Sequence, residues 1–157
     1  MLSNQDQQIN FEQEYILKFI TEDGIETLIR INDNIRNRLG SINNIGNENV
    51  IFEMTTIPQY KKSVYDNLQK YIDAHKSDTQ KENTSTKLLL FSNKLQDMIE
   101  ERDYNIVKLL GKKDLIDLTH LAEFLSYQDL VDLLLKVITF HLAGKNNYKI
   151  EEWLELE

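Results

Sequence analysis

The sequence contains no cysteine, one proline and only five glycines among its 157 residues. The absence of cysteine excludes disulfide bonds, thiolate catalysis and every metal or cluster site that needs a sulfur ligand. It suits a reducing compartment, so we expect a cytoplasmic or nuclear protein. The glycines are scattered and form no phosphate-binding loop. The first ten residues are polar, which predicts a frayed tail rather than a signal peptide.

Long hydrophobic runs and positive charge are also scarce. No stretch reaches the ~18 apolar residues that a membrane-spanning helix needs. The 18 Lys and Arg residues are outnumbered by 26 Asp and Glu residues, and the net charge is −8. That balance disfavours nucleic acids and anionic membrane surfaces as partners. Hydrophobic residues make up 41% of the chain, which is enough to build the core of one domain.

Residue types that carry catalysis or bind metals form no recognisable motif. His75, His120 and His141 are far apart in the sequence, and none is at metal-ligand spacing from another. Glu100-Glu101 and Glu151-Glu152 are adjacent pairs, which indicate solvated helix faces. We therefore expect no enzyme, no cofactor and no metal. The hypothesis from another class is an enzyme or small-molecule binder, whose mark would be a deep pocket with convergent polar groups.

The N-terminal part predicts a β-hairpin followed by a short helix. Apolar residues fill two short runs between Tyr15 and Ile31, on either side of a turn at Asp23-Gly24. Asn32 or Asp33 can then cap a helix over Asn34 to Ile42.

A strand, a helix and a polar loop are predicted next. Val50 to Met54 is a strand-length apolar run. Pro58 suits the first turn of a helix that ends near His75. Lys76 to Lys87 contains no apolar residue and predicts a loop or linker.

The remaining pattern is helical. It predicts a helix over Leu88 to Ile99, a connecting piece over Ile106 to Leu110 and a helix carrying the stripe Leu115 to Leu125. Ser126 is predicted to cap a following helix over Gln128 to Leu142. Strands that precede helices in this way indicate an α+β fold with a small sheet covered by helices.

The helix predicted before Gly144 is hydrophobic nearly all round. Nine of the thirteen residues from Leu130 to Leu142 are apolar, and such a helix must be buried on nearly every side. Two interpretations are open and compatible. A partner protein covers the outer side, or the chain's own final helix, carrying Trp153 and Leu154, folds back over it.

The sequence resembles a known family in the order and spacing of these segments. The strongest match runs from Leu115 to Leu156. The family's conserved features there correspond to Ala122-Glu123-Phe124-Leu125, Asp129-Leu130-Val131-Asp132, Gly144-Lys145, and Ile150 with Leu154. The hairpin of Ile16 to Ile31, the strand and helix of Val50 to Lys76, and the polar loop over 76–87 also match, whereas 87–113 matches poorly. On these residues the chain resembles the S-phase-kinase-associated adaptors of SCF-type ubiquitin ligases, including their close relative elongin C.

The resemblance implies a POZ (BTB-like) fold, in which a small N-terminal sheet is covered by helices and followed by a C-terminal helical extension. The implied organisation is a flexible tail over 1–13, a POZ domain over 14–125 with its loop at 76–87, and a partner-binding extension over 126–157. Elongin C resembles the chain at Phe124 and at Ile57-Pro58. Its chain stops soon after the position of Leu125, whereas this chain continues for 32 residues.

The implied function is to bridge a cullin scaffold to F-box proteins as an adaptor subunit of an SCF-like E3 ubiquitin ligase. The cullin-binding positions correspond to Glu123 and Phe124, where the family has an Asn-Tyr pair. Alternatives are an elongin-C-like adaptor, an F-box-binding POZ protein that acts without cullin as a decoy or in a non-ligase complex, and a homodimer that forms when no partner is bound. The positions that correspond to F-box contacts are Leu121, Leu125, Leu134, Val137, Ile138, Leu142, Ile150, Trp153 and Leu154.

Overall fold

A computed structural model describes residues 13–42, 50–54, 57–78, 94–143 and 152. The elements within these residues are a mixture of strands and helices, which confirms the α+β class. A single-turn 3-10 helix lies at Leu95–Asp97. In chain order the other elements are β1 (Tyr15–Ile20), β2 (Glu26–Ile31), α1 (Asp33–Arg38), β3 (Ile51–Glu53), α2 (Lys62–His75), α3 (Glu101–Val107), α4 (Lys112–Leu125) and α5 (Gln128–Leu142).

The three strands form one sheet in the order β2-β1-β3. β1 and β2 are the antiparallel arms of the predicted hairpin, and β3 lies parallel to β1 on its other side. Gly24 supplies the positive φ of +82° at the hairpin turn, which an L side chain rarely adopts. Tyr15, Leu17 and Phe19 point to the buried face of β1, since successive strand residues alternate between faces.

The first helix is capped by Asn32, one of the two residues predicted for that role. Its side-chain oxygen accepts a hydrogen bond from the Ile35 amide at 3.0 Å. Its side-chain nitrogen donates to the Lys76 carbonyl at 2.9 Å, so the same residue joins the start of α1 to the end of α2. The helix ends at Arg38, four residues before the predicted end, because Leu39 turns into an extended conformation.

The loop after α1 packs directly against the corner between α4 and α5. Leu39 forms an isolated antiparallel bridge with Tyr127, and the Gly40 amide donates to the Ser126 carbonyl at 3.1 Å. The Ser41 amide donates to the Leu125 carbonyl at 3.2 Å. A Cβ atom on Gly40 would lie only 2.8 Å from the Cβ of Ser126, so the contact requires glycine.

The prediction that Ser126 caps the start of α5 is wrong. Ser126 ends α4 in a left-handed conformation with φ of +53°, and its own amide donates to the Glu123 carbonyl at 3.0 Å. Tyr127 takes the capping position of α5 without a side-chain hydrogen bond. The reason is that only two residues, Ser126 and Tyr127, separate the helices, and Ser126 takes the left-handed conformation that turns the chain instead of the extended conformation of a cap.

Two other boundaries differ from the predicted ones. α2 begins at Lys62 rather than at Pro58, because the Tyr60 carbonyl accepts a hydrogen bond from the Glu22 amide at 2.9 Å and holds the preceding residues in an extended path. The end at His75 is as predicted.

The segment before α4 also differs. The chain forms the unpredicted helix α3, which takes in Ile106 and Val107 of the predicted connecting piece, and the described end of the predicted 88–99 helix contains a 3-10 turn. α3 buries only Asp103 and Val107 on the core, so hydrophobic periodicity gives little sign of it.

Several predicted features lie outside the described residues. They are the N-terminal tail up to residue 12, the loop at 43–49, residues 79–93 and the segment around Gly144. Within the described ranges, no helix combines the length and the apolar character needed to cross a bilayer.

Replacing Gly40 with Ala is expected to lower the free energy of unfolding by about 1–3 kcal/mol, since the added methyl group overpacks against Ser126. Ser126→Gly should be neutral or stabilising, because glycine adopts the left-handed conformation without cost. Chemical denaturation of the two single variants and the double variant measures both effects. The double variant should recover most of the loss, and a Gly40→Ala protein as stable as the wild type would contradict the close-contact account.

Candidate protein-binding site

The apolar side chains of α5 become less buried towards the end of the helix. Leu130, Leu134 and Val137, on the core-facing line, are at most 2% exposed. One turn later Ile138, Phe140 and Leu142 are only half-buried. Apolar side chains that stay partly accessible to solvent in this way are typical of surfaces that bind another protein. We call Ile138, Phe140 and Leu142 the α5 apolar end.

The end of α4 presents a different surface. Glu123 and Phe124 are both exposed, and 44% of Phe124 remains accessible to solvent. Their neighbours Leu121, Ala122 and Leu125 are fully buried on the opposite side of the helix. The two residues predicted to bind cullin therefore lie side by side on the outside of the fold.

The predicted F-box contacts divide into three groups. Leu121, Leu125, Leu134 and Val137 lie in the chain's own core at 0–2% exposure, so in this conformation they hold α4 and α5 in place. Ile138 and Leu142 are half-buried and accessible at the α5 apolar end. Ile150, Trp153 and Leu154 lie outside the described residues. Phe140 belongs to the accessible group too, although the sequence pattern did not single it out.

A buried histidine fastens α3 to the end of α2. Nε2 of His75 lies 2.5 Å from a carboxylate oxygen of Asp103, and Nδ1 lies 2.6 Å from one of Asp78. Both ring nitrogens face acceptors, so the doubly protonated imidazolium fits this site best. Burial alone would lower the pKa of His75, but the hydrogen bonds and charges of Asp103 and Asp78 outweigh it and raise that pKa above its ordinary value.

Arg102 completes this charge network. Its guanidinium makes two hydrogen bonds to the Asp78 carboxylate, at 2.8 and 3.0 Å, and donates to the Ala74 carbonyl at 2.8 Å. Burial raises the pKa of Asp78, but its hydrogen bonds to Arg102 and His75 have the larger combined effect and lower it. Bidentate pairs of this kind are among the stronger ion pairs in proteins.

A stack of rings connects this network to α5. Tyr71 stacks on His75 with ring centroids 4.2 Å apart, and it meets Tyr127 edge-on at 5.5 Å. Just beyond, Arg38 pairs with Asp129 at 2.7 Å and so ties α1 to the first turn of α5. Burial raises the pKa of the Tyr127 hydroxyl, which has no hydrogen-bond partner among the described residues.

Sequence reasoning missed the charge network almost entirely. His75 and Asp78 are three residues apart, and that spacing was the one local signal for the pair. Asp103 lies 28 positions from His75 in sequence, in a segment whose helix was not predicted. Only the packing of α2 on α3 brings the three side chains together.

The described residues also contain an open groove of about 460 Å³ beside β2 and α2. Its walls mix opposite charges, Glu14 and Asp73 with Arg30 and Lys76. No group of three His, Asp or Glu side chains in the described ranges is placed to hold a metal ion.

No protein-family model matches the chain, and no curated protein matches its sequence at a significant level.

The charge network predicts a specific pH dependence of stability. His75 has a raised pKa in the folded state, so its contribution is complete below its ordinary pKa of 6.5 and is lost as the pH rises through the folded value. Asp78 has a lowered pKa, so its contribution is lost as the pH falls below its ordinary 3.8. Denaturation at about pH 5.5 and about pH 9 should give a free energy of unfolding that is about 1–3 kcal/mol lower at the higher pH.

His75→Gln is the matched variant, since its side chain keeps a hydrogen-bonding amide but carries no titrating charge. Its stability should change much less between the two pH values. An unchanged pH dependence in this variant would contradict the assignment to His75.

Proposed function

We propose that the chain is an adaptor with a POZ (BTB-like) fold, which joins F-box proteins to a cullin scaffold in an SCF-like ubiquitin ligase. The architecture supports the proposal at the coarse level. A hairpin with an Asp-Gly turn, a parallel third strand, α2 and the α4–α5 pair follow each other in the order that the sequence resemblance implies. The adaptor acts by bringing proteins together and performs no catalysis itself.

The observation that carries the F-box half of the proposal is the α5 apolar end. An F-box is a small helical motif, and helices bind one another by packing apolar side chains from each surface. Ile138 and Leu142 supply such side chains on one face of a helix that Arg38 and Asp129 fix at its first turn, and Phe140 supplies another on a different face. Exposed aromatic and aliphatic anchors of this kind dominate the energetics of many interfaces.

The cullin half rests on Glu123 and Phe124. The exposed ring of Phe124 is a candidate anchor, and Glu123 adds a negative charge beside it. An extra charge weakens binding to an acidic surface and strengthens binding to a basic one. The charge of Glu123 thus favours a cullin whose contact surface is basic. A family member that retains only the F-box surface would act as a decoy or in a non-ligase complex.

Self-association through the α5 apolar end is the second candidate, favoured by the same half-buried side chains. Two copies would bury each other's α5 apolar end when no F-box protein is bound.

Replacing Ile138 and Leu142 with Glu should abolish binding to a purified F-box domain, because two carboxylates would be buried against an apolar surface. Isothermal titration calorimetry gives the affinity, and we expect a loss of at least about a hundredfold. Circular dichroism and the unfolding midpoint show whether the domain remains folded.

The matched control is Thr139→Glu with Ala143→Glu. Both residues are exposed and four positions apart, and each follows one of the two test residues directly, so the added charge is identical but lies about 100° further round the helix. This control should bind the F-box domain nearly as well as the wild type. Unaltered binding by the Ile138 and Leu142 variant would contradict the proposed site, and so would equal loss in both variants.

Replacing Glu123 with Asn should strengthen binding to an SCF-type cullin by roughly tenfold, since it restores the neutral amide that the family has there. Surface plasmon resonance with the immobilised cullin N-terminal region measures the change. Glu101→Gln removes the same charge from an exposed position on α3 and should leave the affinity unchanged. A loss of affinity, or no change, would indicate a scaffold adapted to the carboxylate.

A further inference from the structure

The outer edge of β2 is closed at one point by a side chain. The Arg30 amide donates to Oε1 of Gln69 at 2.8 Å, and Nε2 of Gln69 donates to the Arg30 carbonyl at 2.9 Å. These are the two bonds that a residue of a neighbouring antiparallel strand would make. Asp73 accepts a third bond from the same nitrogen at 3.0 Å, which fixes the orientation of the amide.

The rest of this edge has no such cover. Leu28 lies two positions before Arg30, so its amide and carbonyl also point away from β1. No hydrogen bond from a described residue reaches these outward groups. The Leu28 side chain is 43% exposed. Uncovered edges of this kind can pair with another strand.

The exposed residues of β2 are complementary to themselves. If two copies of β2 pair antiparallel about a two-fold axis at Leu28, each Leu28 faces its counterpart and each Glu26 faces Arg30 of the other copy. All three residues lie on the outer face of the sheet, because they are spaced by two. Opposite charges and apolar pairs directly across two strands stabilise their pairing.

We propose that the edge of β2 is a pairing surface for a second copy of this chain, and that the Gln69 side chain keeps it closed. Opening it replaces two intramolecular hydrogen bonds of Gln69 with backbone bonds to the second copy. The two three-stranded sheets then join into one sheet of six strands. This surface is separate from the α5 apolar end, so the inference does not depend on the proposed adaptor function.

The present ion pairs of Arg30 and Glu26 can be replaced at little cost in stability by pairs with a second copy. Arg30 now pairs with Glu14 at 3.2 Å, and Glu26 with Lys18 at 3.3 Å. All four side chains are about a third or more exposed, and ion pairs of that kind contribute little to stability. Gln69, with its fixed geometry, is therefore the side chain that must move before pairing, and helix α2, which packs beside β2, must leave room for the incoming strand.

The first test measures the monomer–dimer equilibrium by sedimentation. Gln69→Ala should raise the dimerisation constant roughly tenfold or more, because two hydrogen bonds per copy no longer compete with strand pairing. Adding Arg30→Glu to the Gln69→Ala protein places a carboxylate at position 30 opposite Glu26 of the other copy, and this repulsion should restore the monomer. Adding Glu26→Arg to that variant exchanges the charges and should bring the dimer back. Gln69→Met, similar in length but lacking the amide, is the second variant if the alanine protein does not fold.

The second test uses the lack of cysteine in the native sequence. Paired residues across an antiparallel ladder have Cα atoms ~5.5 Å apart, which is within the range that a disulfide spans. Leu28→Cys in the Gln69→Ala protein should give a covalent dimer on oxidation. Leu28→Cys with Gln69 intact should cross-link far more slowly. Ile51→Cys, at a position on β3 that is 54% exposed, is the control and should remain monomeric.

The proposal is contradicted if the Gln69 variants remain monomeric, if charge reversal at Arg30 has no effect, or if Leu28→Cys and Ile51→Cys cross-link equally. Dimerisation through the α5 apolar end is distinguished by adding Ile138→Glu and Leu142→Glu, which should leave strand pairing unchanged. Loss of the dimer in that variant would assign it to α5 and overturn the proposal.

Discussion

The contact between Gly40 and Ser126 determines where the last described helix leaves the domain. The loop after α1 and the corner between α4 and α5 approach so closely that a methyl group on Gly40 would collide with Ser126. Backbone hydrogen bonds from Gly40 and Ser41 to the corner fix its position. Because α5 begins at Gln128, two residues after Ser126, the loop after α1 sets the direction of this helix. The proposed binding surface is therefore held by the loop after α1 as well as by the neighbouring helix α4.

The buried charge network provides the second attachment of the helical layer. His75 holds the end of α2 between Asp78 and Asp103, and the rings of Tyr71 and Tyr127 extend this contact to the start of α5. A charged imidazolium between two carboxylates stabilises the packing of α2 on α3 only while it keeps its proton. The two attachments differ in kind, since the Gly40–Ser126 contact depends on shape and the His75 network depends on charge.

The sequence predicted local features well and long-range ones poorly. The hairpin, the cap at Asn32 and the end of α2 at His75 depend on a few adjacent residues, and they were predicted closely. Ser126 was assigned to the wrong helix because its type suits a cap, whereas its backbone conformation follows from the tight reversal. α3 was missed because it has few apolar residues. The apolar stripes of α4 and α5 could not separate core from contact, since Leu134 and Ile138 have the same chemistry and differ only in what covers them.

The central claim is that this fold serves as an adaptor between F-box proteins and a cullin. The most direct measurement is affinity purification of the tagged chain from its own cells, with the bound proteins identified by mass spectrometry. The account predicts that F-box proteins and a cullin are recovered together, and that both classes are absent from a mock purification. Recovery of neither class would contradict the adaptor function and leave the α+β architecture without an assigned activity.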